Sequence, residues 1–173
     1  MNPNKPIKSL ASLALQIAQS QVGQAETPKG SNTGPMVNEY LKAAGLKPGY
    51  PWCQAFVYWC YAEAAKCMKS NARVVRTASV SECWKKATGK KLSKMEALQN
   101  PTQLRPGDQF ILLFDNGTGH TGIVESIVAT NAGVVLHTIE GNSNTTGHRE
   151  GYAVVKHTRR IGDKALAGFI QYQ

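Results

Sequence analysis

Apolar positions recur at helical spacing early in the chain and at strand spacing late in it. Leu10, Leu13, Ala14, Ile17, Ala18 and Val22 share one helical face, which predicts a helix from Leu10 to Val22 stopped at Gly23. "ETPKGSNTG" (Glu26 to Gly34) is a loop by composition. Pro35 then suits the first turn of a second helix, "PMVNEYLKAAG", closed by Gly45. A third helix begins near Cys53 and is apolar almost all round (Ala55, Phe56, Val57, Tyr58, Trp59, Cys60), so it belongs at the centre of the fold. Residues 70 to 103 are mixed, with helical stretches near Val80 to Ala87 and Lys94 to Leu98.

From Leu104 the period shortens. "QFILLF", "TGIVESIV", "VVLHTIE", "YAVVKHTR" and "LAGFIQY" read as five strands, separated by "GTGH", "NAG" and "GNSNTTGHREG" among other turns and loops. Helices first and strands afterwards make an α+β domain: N-terminal helices packed on a C-terminal antiparallel sheet of about five strands. Residues 1–9 form a polar leader, and 10–173 are one domain.

Composition narrows the class. With 173 residues, 42% apolar and 18% charged, the chain can bury a core without metal or disulfide staples. No apolar run is long enough to span a bilayer, and "LASLALQIAQ" is too polar for a signal peptide, so neither membrane insertion nor self-contained export is expected. The net charge of +9 favours anionic partners. The basic residues are scattered, with pairs at Lys85-Lys86, Lys90-Lys91 and Arg159-Arg160, and no basic helix carries stacking aromatics. Nucleic acid is therefore not an expected partner.

The candidate chemistry starts at "GYPWCQAFVYW". A cysteine nucleophile needs a lowered thiol pKa, a histidine base and a group that orients the histidine. Cys53 sits at the head of a helix, where unpaired N–H groups favour a thiolate. Cys60 and Cys67 follow at intervals of seven and read as core residues, and Cys83 has no comparable context. All four are expected to be reduced, with a Cys67–Cys83 bridge left open. Among the histidines, His120 in "GTGHTGIV" enters a strand from a glycine-rich turn. His137 and His157 lie within strands, and His148 lies in a loop beside Arg149. Glu140 and Asn142 in "IEGNSN" end the next strand and are the candidate orienters. Period two would put both on one face if the strand ran past Gly141.

Four segments in this order, "GYPWCQAFVYW", "LRPGDQFILLF", "GHTGIV" and "TIEGNSN", resemble the CHAP domain, the cysteine, histidine-dependent amidohydrolase/peptidase family related to NlpC-type and papain-like peptidases. The resemblance spans about residues 12 to 172. It implies a papain-like fold and cleavage of peptidoglycan amide bonds, either N-acetylmuramoyl-L-alanine or stem and cross-bridge linkages. It implies Cys53 as nucleophile, His120 as base, Glu140 as the orienter, and Asn142 as its support or as a group polarising the substrate. Tyr50, Trp52 and Gln54, beside the nucleophile, are expected to contact substrate. The Cys53 N–H would supply one oxyanion donor, with no evident second.

The acid-poor segment from Val22 to Trp52 holds only Glu26 and Glu39, so no calcium, metal or other cofactor is expected. Peptidoglycan is the expected partner, with a cognate immunity or inhibitor protein as a further candidate. With no signal peptide recognisable, delivery to the wall is expected by phage lysis, by a secretion system, or through an export signal already trimmed away. Two other readings compete: a related thiol enzyme on a protein amide (deamidase or isopeptidase), and a non-catalytic wall-binding domain.

Overall fold

The computed structural model describes residues 9–144 and 151–172. His148, Arg149 and nearly all of the polar leader lie outside the described residues.

Three helices build the first layer. Helix α1 (Leu10–Ser20) is capped by Ser9, whose hydroxyl accepts the Ser12 N–H at 3.1 Å. Helix α2 (Pro35–Ala43) starts on its proline. Helix α3 (Cys53–Met68) is buried through Cys53, Gln54, Ala55, Phe56, Val57, Cys60, Tyr61, Ala64 and Ala65, which is why its sequence shows so little amphipathic contrast. It ends at Lys69 in the left-handed region. Two short helices, α4 (Val80–Lys86) and α5 (Lys94–Gln99), follow. Helix α5 begins with a reciprocal capping box between Ser93 and Glu96.

The sheet is antiparallel with six strands in the order β1-β6-β2-β3-β4-β5. They are β1 (Lys90–Ser93), β2 (Gln109–Leu113), β3 (Gly119–Thr130), β4 (Gly133–Ser143), β5 (Ala153–Arg160) and β6 (Leu166–Gln171). The five strands expected from the pattern are all present. The sixth, "KKLS", pairs with β6 at the sheet edge and buries only Leu92 well, so its sequence carries no alternation to detect. Two strands run further than composition implies. Gly119 and His120 already pair with Leu113 and Leu112 of β2, and β4 continues through Gly141 to Ser143.

Alternate residues divide the core in two. Ile111, Ile123, Ile139, Val154 and Ile170 join the helices in one apolar cluster. Phe110, Leu112, Val124, Leu136 and Phe169 face the other way and pack with Ala97 of α5, Leu104 and Ile161. With both faces covered, β2 reads as a continuous apolar run. All four cysteines are free thiols: Cys53, Cys60 and Cys83 are buried and Cys67 is exposed.

Candidate active site

The approach to Cys53 is fixed on several sides. Trp52, the residue before it, is fully buried and lies stacked on Tyr40 with ring centroids 5.6 Å apart. Its indole N–H donates to Glu26 Oε1 at 2.9 Å. Its backbone N–H donates to Asn142 Oδ1 at 2.9 Å, and its carbonyl accepts the Phe56 N–H, the first bond of α3. Cys53 thus starts the helix in a set position, beside N–H groups that no helical turn can satisfy. It is 7% exposed, enough to leave an edge of the side chain open.

His120 opens β3, and Glu140 comes from β4 alongside. The register pairs Ile123 with Ile139, so His120 and Glu140 stand on the same face, with Gly122 between them and opposite Phe110. The imidazole Nε2 meets Glu140 Oε2 at 2.8 Å. The Cys53 side chain is near enough to raise the ring's pKa, and with Nε2 engaged by Glu140 the nitrogen left for the sulfur is Nδ1. A relay therefore runs from Cys53 through His120 to Glu140.

Glu140 is completely buried, and His120 and Arg159 together let it stay ionised. The guanidinium donates from Nε to Oε1 at 2.5 Å and from Nη2 to Oε2 at 2.6 Å, a bidentate clamp. Thr138 donates to Oε1 at 2.6 Å. Burial alone would raise the carboxyl's pKa, but the hydrogen bonds and charges of His120 and Arg159 hold it well below the usual range. His120 is pushed the other way, up to about 9: burial opposes its charge, yet Cys53 and Glu140 together outweigh burial. The pair thus biases the imidazole toward its protonated form.

Arg159 is the functional residue that sequence reasoning misses. It pairs with Leu136 in register, four residues from Glu140 along β4, and its long side chain spans that diagonal. The sole hint in the sequence is a basic residue on the strand after the carboxylate, which a solvated surface produces as often.

Gly122 makes room for the contact. A Cβ there would lie 2.5 Å from the Ile139 carbonyl, 2.9 Å from Glu140 Cγ and 2.9 Å from Phe110 Cε1. Gly122→Ala is expected to cost about 1–3 kcal/mol from overpacking and to push the carboxylate off the imidazole. The check is a lower melting temperature together with a fall in the His120 pKa followed by NMR.

Asn142 does not touch the imidazole as expected. A bulge between Glu140 and Ser143, with Asn142 in the left-handed region at φ 53°, breaks the period of two. Glu140 consequently faces His120, while Asn142 faces the Trp52 backbone and donates to the Gly151 carbonyl at 2.8 Å. Its contribution is to fix the start of α3.

Of the three residues expected at the substrate, only Tyr50 is open to solvent, at 52%. The Trp52 and Gln54 side chains are fully buried and hold the framework instead. The other cysteines and, among the described residues, the other histidines stand apart. Burial pushes the Cys60 thiol well up and the Cys83 thiol up. His157 Nε2 lies 3.0 Å from the Asn144 carbonyl, and His137 Nδ1 lies 3.5 Å from the Thr158 hydroxyl. Among the described residues, no group of three or more His, Cys, Asp or Glu side chains is arranged to hold a metal.

Two comparisons return nothing: no curated protein and no solved structure matches the chain. The family model for the CHAP domain matches residues 45–142, more than half of the chain and the whole span from before Cys53 to beyond Glu140. Arg159 falls outside the matched segment. A hydrolase of the amidase or peptidase kind, dependent on cysteine and histidine, is what that match and this pairing of side chains describe together. The chain belongs to the CHAP domain family, within the papain-like and NlpC group of cysteine peptidases.

Proposed function

We propose that this protein hydrolyses amide bonds of peptidoglycan by nucleophilic catalysis from Cys53. The observation that carries the reading is His120, hydrogen-bonded to the buried Glu140 and electrostatically linked to Cys53 at the head of a buried helix. The Cys53 sulfur, as thiolate, attacks the amide carbonyl carbon, and the oxygen takes up the charge. The Cys53 N–H, unpaired at the start of α3, is placed to donate to that oxygen. His120 then gives its Nδ1 proton to the leaving nitrogen as the C–N bond breaks, which frees the amine and leaves a thioester. Neutral His120 takes a proton from water, and the resulting hydroxide attacks the thioester. The carboxylic acid leaves, and thiolate and imidazolium are restored. Glu140 keeps the ring oriented and offsets its charge throughout, while Arg159 keeps Glu140 ionised.

The net charge of +9 suits anionic wall polymers and favours the domain's approach to such a substrate. Tyr50, exposed three residues before the nucleophile, would stack on a sugar or peptide of the substrate, a reading its open ring supports.

The test is digestion of purified peptidoglycan by the protein before and after alkylation with iodoacetamide, with fragments read by mass spectrometry. Soluble fragments bearing a new amine from the untreated protein alone are expected, and their masses name the bond. No fragments across several wall chemistries, with Cys53 still alkylated readily, would overturn the peptidoglycan reading in favour of a protein amide. An inert Cys53 with retained wall binding would leave a binding domain.

A further inference from the structure

The residues that follow the two members of the reactive pair share one anchor. Gln54 comes next after Cys53 and Thr121 next after His120, and both are fully buried. Gln109 of β2, also fully buried, donates from the same amide nitrogen to both, at 2.8 Å to Gln54 Oε1 and 2.9 Å to Thr121 Oγ1. That amide has two N–H bonds at a fixed planar angle, and both are used.

The polarity of the cluster is determined. Thr121 gives its own proton to the Phe110 carbonyl at 2.6 Å, so toward Gln109 it accepts. The Gln109 oxygen faces Tyr172 OH at 3.0 Å and the Cys83 sulfur at 3.8 Å, so the amide cannot turn over without losing both. Among the described residues, Gln54 Nε2 has no hydrogen-bond partner. Its bond from Gln109 is therefore the strong one. Apolar side chains would fill this volume at no cost in unpaired groups. What the amide adds is a fixed spacing between the first turn of α3 and the start of β3.

We propose that Gln109 is a positioning residue for the reactive pair, clamping Gln54 and Thr121 so that Cys53 and His120 meet at a set distance and angle. The inference rests on the reading of Cys53 and His120 as the catalytic pair. A displacement of about 1 Å between reacting groups costs on the order of 10²-fold in rate, which gives the clamp its importance.

The test uses Gln109→Met and the double variant Gln54→Met/Gln109→Met, with two readouts that need no wall substrate. One is the rate of Cys53 alkylation by iodoacetamide at pH 7, and the other is the His120 titration by NMR. For Gln109→Met, alkylation is expected to slow by about tenfold and the His120 titration to fall from near 9 toward 6.5, with a lowered melting temperature. The double variant leaves no unpaired glutamine. It is expected to recover most of the melting temperature while alkylation and titration stay altered. It also serves where the single variant does not fold. Recovery of all three measurements together, or wild-type alkylation and titration in Gln109→Met, would reduce the cluster to packing and overturn the proposal. A wild type that digests no wall yet shows these effects would sink the peptidoglycan reading alone.

Discussion

Cys53→Ala is expected to lower turnover of wall peptide by about 10⁴-fold or more while the protein stays folded. The reaction needs a sulfur that forms a bond to carbon, and among the described residues the other three cysteines have no histidine hydrogen-bonded to them: Cys60 is sealed in the core, Cys67 is exposed at the far end of α3, and Cys83 contacts Gln109 and Tyr172. The structural cost is small, because only one partly accessible sulfur is removed, about 1 kcal/mol of apolar burial.

A second signature separates loss of chemistry from loss of fold. The folded-state pKa of His120 stands above its unfolded value of about 6.5. A raised pKa contributes stability that is fully present below pH 6.5 and is lost as pH rises through about 9. Cys53 is one of the two groups that raise it. In Cys53→Ala, then, the fall in melting temperature between pH 6.5 and 9 shrinks relative to wild type. Residual turnover above background in the variant, or an unchanged pH dependence of stability, would remove Cys53 from its assigned place.

What the sequence reveals of this protein follows from how each feature is encoded. The central helix is legible because burial on all sides needs an unbroken apolar run, and its start is legible because Pro51 and Trp52 interrupt what precedes it. His120 and Glu140 are legible as neighbours because β3 and β4 form a hairpin, so their closeness is nearly local. Asn142 is legible as a residue of interest but not in its contact, since one left-handed residue in a bulge reverses which way the side chain faces. Trp52 and Gln54 show the opposite failure. Adjacency to a nucleophile suggests the substrate, whereas both side chains turn inward and meet Glu26 and Gln109, partners from distant segments. Arg159 and Gln109 leave no local trace. Each acts across a register that pairing alone defines, and a basic strand residue or a polar strand start has many ordinary causes.

Arg159→Leu is expected to be the most destabilising single change at the site, by about 2–4 kcal/mol at pH 7, or roughly 5–15 °C in melting temperature. It leaves the Glu140 carboxylate, which is completely buried, with His120, Thr138 and Ser143 but without the guanidinium that donates to both of its oxygens. The effect has a pH window with a definite sign. The folded pKa of Glu140 lies below its unfolded value, so its stabilisation is full above about pH 4.5 and is lost as pH falls toward the folded value. Wild type and Arg159→Leu should therefore differ most near neutrality and converge as pH falls below about 4.5. Urea unfolding across that range measures it.

The double variant Glu140→Gln/Arg159→Leu distinguishes support of the charge from packing. A neutral amide has no charge to strand, so the double variant should regain much of the stability lost by Arg159→Leu. It should not regain activity, because His120 then lacks the anion that orients it and holds its proton, a loss of about 10²-fold or more. Equal destabilisation of the single and double variants would instead assign Arg159 to packing on Phe110, whose ring lies 5.2 Å from the guanidinium carbon, and would leave Glu140 ionised without its help.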